Sequence, residues 1–130
     1  MPYTKLRVLE LATGIPTAYC GKMFTDAGAT VVKVEPPSGD PMRRWRARPD
    51  TGEGALFGYL AAGKRSVVGD STSSEVADLL ASADVVITDL AAGWALADVT
   101  AAARPSAVVV AITPFGTTGP YVDSGLQVNE

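Results

Sequence analysis

Five short runs rich in branched apolar residues, at 6–12, 30–35, 64–68, 84–88 and 107–112, recur along this chain with helix-like segments between most of them. Runs of that length match strands, and strands alternating with helical segments of 10–15 residues build a parallel sheet through right-handed crossovers. The chain is therefore predicted to form an α/β fold, a Rossmann-like doubly wound parallel sheet. Its 130 residues, 47% of them hydrophobic, suffice for one core and are too few for two ordinary domains. Residues 1–130 are read as a single unit.

The connecting segments refine that picture. Over 17–27, Cys20, Phe24 and Ala27 recur at helical spacing, Tyr19 and Met23 extend the same apolar face, and Gly28 stands where a left-handed cap would end the helix. The Pro36-Pro37 pair stops the second strand, and 36–53 shows no period, which predicts a long functional loop. A short apolar helix over 55–62 ends at Gly63. Thr72 and Glu75 have capping-box spacing ahead of Val76, Leu79, Leu80 and Ala83 at i, i+3, i+4 and i+7. A further helix is expected over 94–103, and the uninterrupted apolar run at 107–112 reads as a strand buried on both faces. No closing helix follows, so one flank of the sheet is expected to stay uncovered.

Several chemistries fall away. With 11 Lys and Arg against 14 Asp and Glu, the charge of −3 does not favour a nucleic-acid partner. A single cysteine, Cys20, and no histidine leave neither a disulfide nor a His/Cys metal site, and no base to activate a serine or thiol nucleophile. Carboxylates remain as the plausible covalent or acid/base groups. Of Asp26, Asp84 and Asp89, only Asp89 falls at the carboxyl end of a strand, where open α/β sheets bind ligands. Segments 12–17 and 34–48 reach that edge too. Gly14 stands alone after the first strand, so the dinucleotide fingerprint is absent, as is a P-loop. Arg43, Arg44, Arg46 and Arg48 form a basic patch suited to phosphates, although a solvated loop would look the same. The turn Phe115-Gly-Thr-Thr-Gly-Pro-Tyr121, with Gly116 near its start, offers backbone N–H groups to a pocket or is a plain turn. There is no signal-peptide pattern and no apolar run near the ~20 residues of a membrane span, so the expected location is cytoplasmic, away from membranes.

Four motifs occur in one order: Gly28-Ala-Thr-Val-Val-Lys-Val-Glu-Pro-Pro-Ser-Gly-Asp40, Gly63-Lys-Arg-Ser-Val67, Ala83-Asp-Val-Val-Ile87 and the Phe115 turn. Together they resemble the class III (family III) CoA-transferases, whose relatives include formyl-CoA and carnitine CoA-transferases and alpha-methylacyl-CoA racemase. The resemblance implies the incomplete N-terminal portion of that fold, a Rossmann-like region binding coenzyme A. It implies an interlocked oligomer, or a second chain supplying the C-terminal region. The implied substrates are an acyl-CoA and a carboxylic acid acceptor, and no metal is implied.

By the same resemblance, Arg43, Arg44, Lys64 and Arg65 would lie near the CoA phosphates, with Asp89 and Gly116 also at the CoA site. Glu130 is the nearest equivalent of the family's acylated aspartate. Asn129 stands where racemases carry a histidine, which disfavours racemase chemistry. Ala61-Ala62 replace the family's Asn-Arg, and Asp89-Leu-Ala-Ala-Gly93 replaces Asn-x-Arg-Pro-Gly. Those losses motivate an alternative, a non-catalytic CoA-transferase-like domain acting as the structural or CoA-binding half of a hetero-oligomer.

Overall fold

A computed structural model of the protein describes residues 1–91 and 93–126. Five strands, β1 (Arg7–Leu11), β2 (Thr30–Glu35), β3 (Arg65–Val68), β4 (Val85–Thr88) and β5 (Val108–Ala111), form one parallel sheet in the order β3-β2-β1-β4-β5. Leu9 pairs with both Val32 and Val86, which sets the central register. The chain winds outward from β1 to β3, then returns to place β4 on the other side of β1. The strand order reverses between β1 and β4, and that reversal opens a crevice at the carboxyl ends of the two strands.

Helices cover both faces. Helix α1 (Ile15–Asp26) lies over Val8, Val31, Val85 and Ile87 through Cys20 and Phe24, while α2 (Ala55–Ala61) packs Phe57 and Leu60 against Ala18 and Met42. On the opposite face, α3 (Ser74–Ser82) and α4 (Leu96–Ala102) bury Val76, Leu80 and Val99 on Leu9, Leu11, Val34 and Val86. Gly28, with φ +97°, ends α1 as its sequence position predicts. At the amino edge of the sheet Asp84 accepts the Arg7 N–H and pairs with Arg104, far from the crevice.

Three expectations need correction. Tyr19 and Met23 are 51% and 57% exposed, and the inner face of α1 is made by Thr17, Ala18 and Gly21 instead. Small residues there let the helix approach a polar layer on the sheet, described below. The capping box does not form: Ser73 is the N-cap of α3, and the Thr72 hydroxyl donates to Asp70 Oδ1 at 2.6 Å. Asp70 also accepts the Thr72 N–H at 2.8 Å and, through its carbonyl, the Ser73 N–H at 3.2 Å, holding residues 70–73 in a turn so that the helix starts one residue later. Finally, β5 is an edge strand, with Val108 59% exposed, so its apolar run is not buried on both faces. No helix follows β5 among the described residues.

Candidate functional site

The loops leaving β1, β2 and β4 converge at the carboxyl edge of the sheet. Ala12 and Thr13, Val34 and Pro36, and Asp89 and Ala91 line a narrow cleft there, closed on one side by Trp94. This cleft shares Asp89 and Ala91 with a cavity of about 690 Å³ whose other wall is the segment 113–118 and 122–126. The three strand-end segments singled out in the sequence thus meet, and the Phe115 turn joins them.

Asp89 is the hinge of this arrangement. Its Oδ2 accepts the N–H groups of Thr13 and Gly14, both at 3.0 Å, and its Oδ1 accepts that of Ala91 at 3.0 Å. In many open α/β sheets the N–H groups after the first strand receive a ligand phosphate. Here an internal carboxylate already receives them, tying the end of β4 to the start of α1. Leu90 follows with φ +60°, a left-handed conformation costing roughly 1–2 kcal/mol for an L-residue, and its N–H donates to Thr88 Oγ1 at 3.0 Å. Bonds on both sides hold that strain in place.

Beneath the crevice, between the sheet and α1, lies a layer of buried charge that the sequence reading missed. Lys33 Nζ donates to Glu10 Oε1 at 3.0 Å and to the Ala12 carbonyl at 2.7 Å. It also lies 2.7 Å from Asp40 Oδ2, an ionic contact outside hydrogen-bond angles. Lys64 Nζ donates to Glu10 Oε2 at 2.6 Å and to the Ala18 carbonyl at 2.7 Å. All four side chains are 4% exposed or less. Burial pulls the Lys33 ammonium pKa down, but Glu10 and Asp40 more than reverse it, and the net shift is upward. For Lys64 burial prevails and the pKa falls, since it shares the one Glu10 carboxylate with Lys33. Cys20, nearby, has its thiol pushed up by burial and by Glu10, in keeping with an unreactive side chain.

Glu35 anchors the adjoining loop. Arg43 grips it through Nε and a terminal nitrogen, each at 2.8 Å, while Ser66 Oγ and the Asp40 N–H add bonds at 2.7 and 2.9 Å. The Arg43 bonds above all, helped by Ser66 and Asp40, outweigh burial and hold the Glu35 carboxyl at about 2. Arg43 also pairs with Glu53 at 2.7 Å and lies 4.2 Å over the Phe57 ring. A visible signal existed: Lys33 and Glu35 alternate with Val31 on one side of β2, and Glu10 follows Val8 on the same side of β1. A charge in an inward register calls for a buried partner.

The structure therefore divides the residues that sequence grouped. Asp89 and Gly116 line the 690 Å³ cavity. Arg43, Lys64 and Arg65 line a separate cavity of about 240 Å³ beside α2, which shares no lining residue with the crevice. Arg43 and Lys64 are engaged by internal carboxylates, and Arg44 donates to the Ser38 carbonyl at 3.0 Å on an exposed loop. Arg65 is exposed on the edge strand β3. Glu130 lies outside the described residues.

An open parallel sheet reversing at β1 and β4, with helices on both faces, defines a Rossmann-like α/β fold. The model of CoA-transferase family III matches residues 3–125, and the chain belongs to that family. It is 35% identical over 94% of its length to the succinyl-CoA–D-citramalate CoA-transferase of Chloroflexus aurantiacus. It is 37% identical over 94% of its length to the succinate–glutarate CoA-transferase of Agrobacterium fabrum. It covers 33% and 34% of those relatives, so the chain spans about a third of their length. A crystal structure of a CaiB/BaiF family protein from Brucella suis superposes with a TM-score of 0.80 at 35% identity, covering 95% of this chain and 36% of the other.

Proposed function

We propose that this chain forms the CoA-binding N-terminal part of a class III CoA-transferase that moves CoA between carboxylic acids. The observation that carries the reading is the crevice at the β1–β4 reversal, continuous with a cavity walled by the Phe115 turn, from which the chain runs on toward Glu130. In the proposed reaction a Glu130 carboxylate oxygen attacks the thioester carbonyl of acyl-CoA and expels CoA thiolate. The thiolate then attacks the Glu130 carbonyl of that anhydride, releasing the donor acid and leaving a Glu130–CoA thioester. The acceptor carboxylate attacks this thioester and expels the thiolate, and the thiolate takes the acyl carbonyl of the second anhydride to give the new acyl-CoA and the free Glu130 carboxylate. A carboxylate nucleophile needs no histidine, which this chain lacks. The cavity's roomy, mixed lining suits a thioester arm and its acyl group. No helix among the described residues is long and apolar enough to cross a membrane. The reading places the protein in the cytoplasm, as an interlocked oligomer or with a second chain supplying a C-terminal region.

A second reading, a non-catalytic CoA-binding or structural half, draws support from one specific feature. Arg43 and Lys64 are engaged internally, and the Asp89 turn carries no cation. Native mass spectrometry of the protein as purified from its source, with succinyl-CoA as first donor, separates the two. The transferase reading expects a CoA-sized increment and an acyl or CoA adduct on Glu130 that is lost in Glu130→Ala. CoA binding without any adduct supports the second reading in its CoA-binding form, and no CoA increment at millimolar CoA refutes the transferase reading and leaves the structural half.

A further inference from the structure

One peptide unit in the crevice wall is held by charge at both of its ends. The Ala12–Thr13 peptide turns its carbonyl to Lys33 Nζ at 2.7 Å and its N–H to Asp89 Oδ2 at 3.0 Å. Lys33 belongs to β2 and Asp89 follows β4, the two strands that flank β1, so the clamp spans the point where the strand order reverses. The signs suit the peptide dipole, a cation at the oxygen and an anion at the N–H. Ala12 and Thr13 line the cleft itself, whereas Lys33 is buried beneath it and lines the basic cavity beside α2.

Both clamps are fixed in their turn. Asp89 also takes the N–H groups of Gly14 and Ala91, and Lys33 is held between Glu10 and Asp40, whose side chains are 0% exposed. A peptide unit is planar, so its orientation is set only when both its oxygen and its N–H are held. Without the Lys33 ammonium, the carbonyl of Ala12, a residue 4% exposed, loses a charged donor, and the open space that Ala12 lines is the cleft. Rotation that way aims a carbonyl oxygen into the cleft and draws the Thr13 N–H off Asp89.

We infer that Lys33 is a positioning residue for CoA: it fixes the Ala12–Thr13 peptide, and with it the wall between β1 and β4, without touching the ligand. The inference rests on the proposed place of CoA in this crevice and gives the buried lysine a part in that binding.

The test compares the parent with three variants. Lys33→Met removes the carbonyl bond and two ion pairs. Asp40→Asn removes one of those pairs, leaves the carbonyl bond, and keeps an oxygen for the Met42 N–H. The double variant Lys33→Met with Asp40→Asn leaves Glu10 paired with Lys64 in a neutral layer, so it folds where Lys33→Met alone strands a buried carboxylate. CoA is titrated calorimetrically, and amide exchange of Thr13 and Gly14 is followed without CoA. Both variants lacking Lys33 are expected to bind CoA about tenfold or more weakly and to exchange the Thr13 amide faster. They should raise KM for succinyl-CoA more than they lower kcat, while Asp40→Asn keeps the parent's affinity. Recovery of the parent's CoA affinity in the double variant makes Lys33 a stability residue only and overturns the inference. Weakened binding with exchange at Thr13 and Gly14 unchanged means direct contact and also overturns it. Parent-like affinity in both variants lacking Lys33 overturns it with the CoA reading intact, and if the parent itself binds no CoA, that reading fails and the inference with it.

Discussion

Gly21 sits in the middle of α1, where alanine would ordinarily stabilise a helix by about 1 kcal/mol. The structure predicts the opposite sign here. A Cβ built at Gly21 would stand 2.3 Å from Glu10 Oε2 and 2.9 Å from Lys64 Nζ, well inside van der Waals contact. Either α1 lifts from the sheet by about 1 Å, unsettling the dense packing around Ala18 and Cys20, or Glu10 swings away from Lys64. The second route breaks a 2.6 Å bond between side chains that are 0% and 2% exposed. Breaking a buried ion pair costs roughly 3–5 kcal/mol, so after the helix-propensity gain the net loss is about 2–4 kcal/mol. For a domain of this size that corresponds to a Tm lower by roughly 6–15 °C. Urea denaturation of Gly21→Ala, Glu10→Ala and the double variant gives the coupling directly. The two changes should be strongly non-additive, with Gly21→Ala neutral or stabilising once Glu10 is gone. A single Gly21→Ala variant more stable than the parent by about 1 kcal/mol would refute the reasoning.

Other predictions follow from the same geometry. Glu35 is held at about 2 in the folded protein against 4.5 for a free glutamate, so its contribution is full above pH ~4.5 and is lost as pH falls toward 2. That contribution is about 3 kcal/mol, and acid titration of unfolding should show it in the parent and not in Glu35→Gln. Asp89→Ala should lower stability by about 1–3 kcal/mol, by orphaning the Thr13 and Gly14 N–H groups, whereas Asp89→Asn, whose amide oxygen still accepts, should lose less. Equal losses in thermal melts would remove Asp89 from that role. Lys64→Met should cost about 3–5 kcal/mol by leaving Glu10 with Lys33 alone, while Arg65→Ala, on an exposed edge, should stay within about 0.5 kcal/mol. Similar denaturation midpoints for those two variants would contradict the buried layer.

What the sequence made legible was set by local chemistry. The bounds of β2, the helix end at Gly28 and the meeting of three strand-end loops follow from branched runs, a positive φ and the geometry of parallel sheets. What it concealed was pairing between distant residues. Nothing local to Arg43 reveals that Glu35 and Glu53 will take its guanidinium, so one of the four arginines of the basic patch is an internal strut. Lys64 is grouped with Arg65 near the CoA phosphates in the sequence because Glu10, its partner, lies 54 residues away. The outward turn of Tyr19 and Met23 has the same origin, since a helix laid over a charged layer presents its small residues inward. β5 read as central because a run of valines cannot reveal that it ends the strand order.

The central claim is that CoA occupies the crevice and cavity at the β1–β4 reversal and not the basic cavity beside α2. Hydrogen–deuterium exchange of the purified protein with and without saturating CoA tests it most directly. The account predicts slowed exchange in peptides spanning 12–14, 89–91 and 113–126, with little change over 55–66. Protection confined to 55–66, or none at saturating CoA, would contradict it.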